Sequence, residues 1–101
     1  KAVQLFLEME GEKKSVGNKF LGLKARAAYE TGRYRVAIES LEELLNLGVD
    51  TKTKAKYSFM LGLAAKKTSD YEKARSSFKN AMYGAYKPAA MIELEKISGT
   101  E

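Results

Sequence analysis

Cysteine, histidine and tryptophan are missing from this chain of 101 residues, and proline occurs once, at Pro88. Without cysteine there are no disulfides, no thiolate zinc sites and no thiol nucleophile. Without histidine the chain lacks the commonest metal ligand and the commonest general base at neutral pH. No apolar run approaches the ~20 residues of a membrane-spanning helix, so membrane insertion is not expected. The carboxylates do not assemble into a site either. Glu39, Glu42 and Glu43 lie on a segment whose other face is apolar, which reads as a solvated helix face. Glu93 and Glu95 are two apart and cannot share a helix face. Asp50 and Asp70 stand just before helical stretches and read as N-caps. The stretch "GEKKSVGN" lacks the G-x4-G-K-[ST] spacing of a phosphate loop, and no D-x-D cluster suits a hard cation. The expectation is a protein without catalytic residues, metal or cofactor.

What is present is 45% hydrophobic and 31% charged residues, a balance that suits one small globular domain. Lysine and arginine number 18 against 13 acidic residues, for a net charge of +5. That excess favours an acidic partner. The chain begins at Lys1 rather than methionine, so it is expected to be a piece of a longer protein; the compartment is left open.

Periodicity predicts helices throughout and no alternating strand pattern. A first helix is expected over about Lys1–Lys13, with Ala2, Phe6 and Met9 on one face, followed by a link at "KKSVGN". A second is expected over about Asn18–Thr31, stopped by Gly32, and a third over about Tyr34–Leu47, with Ile38, Leu41, Leu44 and Leu45 inward and Gly48 at its end. A fourth should run from Asp50 or Thr51 to about Lys67, and a fifth from after Asp70 to about Tyr83. A last helix should open at Pro88, bury Ala90, Met91, Leu94 and Ile97, and stop at Gly99.

The third and fifth helices repeat one another. Tyr34 pairs with Tyr71, Ala37 with Ala74, Leu41 with Phe78 and Leu44 with Ala81, each 37 positions apart. Ala25 pairs with Gly62 and Ala28 with Ala65 at the same offset. Ala2, Phe6 and Met9 fall on Ala37, Leu41 and Leu44 at an offset of 35. A small residue lets two helix backbones approach where they cross. Ala37, Gly62, Ala74 and Ala81 therefore read as close contacts, with Leu41, Tyr71 and Phe78 filling the space beside them.

On these residues the chain resembles the tetratricopeptide repeat family, whose unit of about 34 residues follows W-x2-L-G-x2-Y…A-x3-F…P. Leu61-Gly62 matches the L-G pair, Ala74-x3-Phe78 the A-x3-F, and Gly32-x-Tyr34 resembles the turn between the two helices. There are departures. Leu21 and Ser58 stand at the tryptophan position, Lys24 at the leucine, Ala28 and Ala65 at the tyrosine. The linking proline is missing after the first full repeat, and the extra residues of the longer period fall in "GVDTKTK".

The resemblance implies an all-α fold of antiparallel hairpins stacked as a short right-handed α-solenoid. Its parts would be residues 1–14 as the second helix of a truncated repeat, 17–48 and 51–84 as full repeats, and 88–98 as a capping helix. It also implies a peptide-binding groove lined by the first helix of each repeat. The groove positions map onto Lys19, Gly22, Arg26 and Tyr29, then onto Lys56, Phe59, Leu63 and Lys66. A basic groove with aromatic patches would take a partner segment with acidic and apolar side chains. One subgroup of the family clamps chaperone C-terminal carboxylates; Lys56 fits that set, but Gly22, Arg26 and Met60 do not, so chaperone-tail binding is not expected. The expected function is a protein–protein interaction module, a scaffold, adaptor or assembly factor. Binding of nucleic acid by the basic surface is the alternative, disfavoured because no base-reading pair recurs between the repeats. Self-association through the truncated end is a further expectation.

Overall fold

The computed structural model describes residues 13–100, with side chains from 19 to 99. The helix expected over Lys1–Lys13 lies outside the described residues. Five helices follow: α1 (Lys13–Glu30), α2 (Tyr34–Leu45), α3 (Thr51–Lys67), α4 (Tyr71–Asn80) and α5 (Tyr86–Thr100). No strand occurs among the described residues, and the fold is all-α.

The turns between helices repeat as the side chains do. α1 closes with a Schellman turn. The Arg33 N–H donates to the Ala28 carbonyl at 2.7 Å, the Gly32 N–H donates to Tyr29, and Gly32 has φ +80°. α3 closes the same way, with Asp70 N–H donating to Ala65 at 2.9 Å and Ser69 N–H to Lys66. There the left-handed position is held by Ser69, at φ 64°. Thr31 and Thr68, 37 positions apart, both turn their hydroxyls back onto helix carbonyls. Asp70 then caps α4, its carboxylate accepting from the Lys73 N–H at 3.1 Å. Asp50 has the extended backbone of an N-cap but closes no such bond to α3. The nearby Thr53 hydroxyl, with lesser help from backbone N–H groups, holds its carboxyl below the usual range.

Such short connections reverse the chain, and each helix packs on the next; α5 packs on both α4 and α3. α1 approaches α3 at Gly22, where an added methyl would lie 2.5 Å from the Tyr57 hydroxyl. The buried cluster is rich in alanine: Ala25, Ala37, Ala64, Ala65, Ala74 and Ala81 expose no surface. Leu41 and Phe78, equally buried, fill the space between them, and Tyr71 packs half-buried at the edge. At Gly62 an added Cβ would come within 2.6 Å of the Phe78 ring. Glu42, half-exposed, pairs with Lys73 of α4 at 2.8 Å, while Glu39 and Glu43 are exposed.

Several boundaries differ from expectation. α1 begins at Lys13, so "KKSVGN" is helix rather than link. One glycine inside a helix costs about 1 kcal/mol, too little to stop it by itself. For the same reason Gly99 lies within α5. α2 ends at Leu45 and α4 at Asn80, two and three residues short of expectation. α5 begins at Tyr86, and Pro88 sits in its first turn, where a missing N–H leaves no bond unmade. Met91 is 48% exposed; Ala90 and Ile97 are buried and Leu94 half-buried. The inward stripe of α5 is thus Ala90, Leu94 and Ile97, flanked by Met91 on the outer side and Glu93 on the side facing α3.

Candidate functional site

The candidate face is built from one stripe of α1 and the corresponding stripe of α3, each with residues spaced three and four apart. Lys19 and Lys56, 37 positions apart, are both exposed and line one shallow depression with Gly48, Val49, Asp50, Thr53 and Tyr57. The Lys56 ammonium lies 5.3 Å from the centre of the Tyr57 ring, a cation–π contact. Gly22 gives Tyr57 the room to lie against α1. Arg26 is exposed and paired with Glu30 along its own helix at 3.5 Å.

Farther along the stripe the side chains are more committed. Phe59 is half-buried, with its ring edge-on to Phe78 at 5.5 Å and tilted against Tyr86 of α5 at 5.8 Å. Leu63 is half-buried against the core. Tyr29 meets Tyr34 edge-on at 5.3 Å. Lys66 donates to the Glu93 carboxylate at 2.8 Å, and Lys96 approaches the other oxygen of that carboxylate at 3.7 Å. The Tyr29 phenol lies within the electrostatic reach of this pair. Burial, then Tyr34 and Glu93, push its pKa above the ordinary phenol value, and Lys66 opposes them.

Glu93 and Tyr86 were not foreseen. Glu93 precedes Ile97 by four residues and follows Ala90 by three, so it borders the inward stripe of α5. That neighbourhood is the sequence signal that could have found it. Tyr86 lies two residues ahead of Pro88, outside the helix expected from Pro88 onward.

The ionisable side chains of the face are lysine, arginine and tyrosine, with three carboxylates at its edges, Asp50, Glu30 and Glu93. What it can do is form charge-assisted hydrogen bonds to anionic groups and cover apolar ones. Comparison of the chain with protein-family models, with curated proteins and with solved structures found no match.

Proposed function

We propose that the chain is a tetratricopeptide-like interaction module whose α1–α3–α5 face receives an extended partner segment carrying acidic and apolar side chains. The observation that carries this reading is the Lys66–Glu93 pair. A carboxylate rests on this face, 2.8 Å from a lysine and beside a tyrosine. Lys19 and Lys56 offer exposed ammonium groups for further carboxylates, and Tyr29, Leu63 and Phe59 present apolar edges between the two ends. The stacked-hairpin solenoid belongs to the same reading. It is supported by packing of each helix on the next, of α5 on α3, and of Gly22 against Tyr57. In this role the chain acts by holding partners together and carries no activity of its own.

The test is fluorescence anisotropy with two labelled peptides, one alternating glutamate with leucine and one alternating lysine with leucine. The acidic peptide binds and the basic one does not. The double variant Lys19→Glu/Lys56→Glu weakens acidic-peptide binding about tenfold, as expected for two partly exposed charge contacts. Equal binding of both peptides, or indifference to the charge reversal, refutes the reading. A labelled single-stranded RNA run in parallel gives the competing outcome. Binding of RNA alone, falling steeply with salt, would replace a peptide-binding face with a nucleic-acid-binding one.

A further inference from the structure

α2 and α4 each pack on α3, and a cleft lies between them. It consists of two hollows, of about 460 and 360 Å³, that share Glu42, Asp70 and Lys73. The Lys73–Glu42 ion pair joins α4 to α2 across the cleft at 2.8 Å. Leu61 of α3 gives the larger hollow an apolar floor, and Ile38 of α2 does the same for the smaller one; both are buried. Leu61 stands two residues from Phe59 and two from Leu63, and residues two apart do not share a helix face. The cleft is therefore on the other side of α3 from the basic face.

Its charge is opposite as well. The chain carries +5, yet the cleft is bordered by the carboxylates of Glu39, Glu42, Asp70 and Glu72 against the cations of Arg35 and Lys73. Glu42 is engaged by the Lys73 ammonium, and Asp70 accepts from the Lys73 N–H. Glu72, in the larger hollow, is exposed and forms no ion pair among the described residues. A second, independent observation is Ser77. It is only 4% exposed and lines the same hollow. A serine inside a helix commonly turns its hydroxyl back onto a carbonyl of the preceding turn. The Ser77 hydroxyl forms no hydrogen bond among the described residues, and it is not wholly enclosed as that of Ser58 is. A nearly buried hydroxyl without a partner is costly, and a donor entering the hollow would satisfy it. The ammonium position of the cleft is already filled by Lys73. What remains is a carboxylate and a hydroxyl over an apolar floor. A guanidinium suits that set, because its planar fork can donate to both acceptors at once. It is also more weakly hydrated than an ammonium, so it loses less on leaving water for an apolar surface.

We propose that the cleft between α2 and α4 receives an arginine side chain of a partner segment, with its guanidinium set between the Glu72 carboxylate and the Ser77 hydroxyl above Leu61. The inference does not depend on what binds the basic face, and it gives the chain two surfaces of opposite charge. The test is fluorescence anisotropy on the whole chain with a labelled arginine–leucine peptide and a lysine–leucine peptide of equal length. The arginine peptide binds, and the lysine peptide binds at least about tenfold more weakly. Glu72→Gln weakens binding of the arginine peptide about tenfold, and Ser77→Ala weakens it about threefold. Both variants keep their affinity for the acidic glutamate–leucine peptide. Ser77→Ala also keeps or raises the thermal midpoint, since its hydroxyl has no partner in the fold; its weaker binding then reports a contact with the ligand. Lys19→Glu/Lys56→Glu, which disables the basic face, does not weaken binding of the arginine peptide. Equal affinity for the arginine and lysine peptides overturns the proposal, as does undiminished binding by Glu72→Gln and Ser77→Ala. Light scattering supplies a further outcome. Oligomers that form in the unaltered chain and dissolve in Glu72→Gln mean that a second copy fills the cleft, and overturn the proposal too.

Discussion

Replacing Gly62 by alanine sets two effects against each other. In an exposed helix the change would stabilise by about 1 kcal/mol, because alanine loses less backbone entropy than glycine. Here the new Cβ would stand 2.6, 2.8 and 2.8 Å from three carbons of the Phe78 ring. Carbon atoms rest at about 3.5–4 Å, so the ring must retreat by about 1 Å. Phe78 is fully buried and in edge contact with Phe59, which leaves it little room. Overpacking of this kind costs about 1–3 kcal/mol, so Gly62→Ala should lose about 1 kcal/mol net. The preceding repeat already contains the alternative solution: Ala25 and Leu41 stand where the later repeat has Gly62 and Phe78, and both are fully buried. Phe78→Leu alone leaves a void and should cost about 1–2 kcal/mol. The double variant Gly62→Ala/Phe78→Leu restores the Ala25/Leu41 combination and should lose less than the sum of the singles, by about 1 kcal/mol. Urea unfolding followed by circular dichroism measures all four corners of the cycle. Gly22→Ala is the control, because the obstructing atom is the hydroxyl end of half-exposed Tyr57, which can swing aside. That change should be neutral or stabilising. Additivity of the Gly62 and Phe78 variants, or a gain of about 1 kcal/mol for Gly62→Ala alone, refutes the close contact between α3 and α4.

Ser69→Gly should raise stability by up to about 1 kcal/mol, since a left-handed serine costs about 1–2 kcal/mol and the added entropy of an unfolded glycine offsets part of that; a lower urea midpoint would contradict the turn geometry. Ser58→Ala should be neutral or stabilising by about 1 kcal/mol, because the buried Ser58 hydroxyl has no hydrogen-bond partner. A loss above that size in thermal melts would reveal a bond that the geometry does not contain. The Tyr29 phenol should ionise above the ordinary range, and nuclear magnetic resonance of carbon-labelled tyrosine should see it move down in Glu93→Gln and up in Lys66→Gln. The raised pKa keeps Tyr29 neutral in the fold after the unfolded phenol has ionised. Its linkage therefore lowers stability as pH rises above about 10, and a stability profile flat across that range would argue against the burial of Tyr29. Glu93→Gln should also strengthen binding of an acidic peptide, by releasing Lys66; unchanged affinity would place the ligand elsewhere.

Local chemistry is what a single sequence displays best, and here it located the turns. Gly32 and Asp70 act through their own backbone and nearest neighbours, so their roles hold wherever the helices lie in space. Buried Ala37, Leu41, Ala74, Phe78 and Ala81 were legible because a stripe spaced three and four apart must face something apolar. The failures fall at "KKSVGN", expected as a link but helical from Lys13 onward, and at Gly99, a glycine without a left-handed backbone that does not stop its helix. They fall also where two side chains flank the same stripe, as Met91 and Glu93 do.

The sequence by itself determined an all-helical chain, most of the helix boundaries to within a turn, the repeat of 37 positions and the alternation of small and large residues within it. These follow from period, capping and side-chain volume, which act over a few residues. Tertiary structure alone decided which cations of the basic face are occupied. Lys66 and Glu93 are 27 positions apart, and only the seating of α5 beside α3 brings them to 2.8 Å. It also decided that Phe59 lies against Phe78 and Tyr86, and that Phe20 and Leu23 stand bare while their counterparts on α3 are covered. Ion pairs and burial depend on distances between helices, and those distances are set by packing of the whole fold.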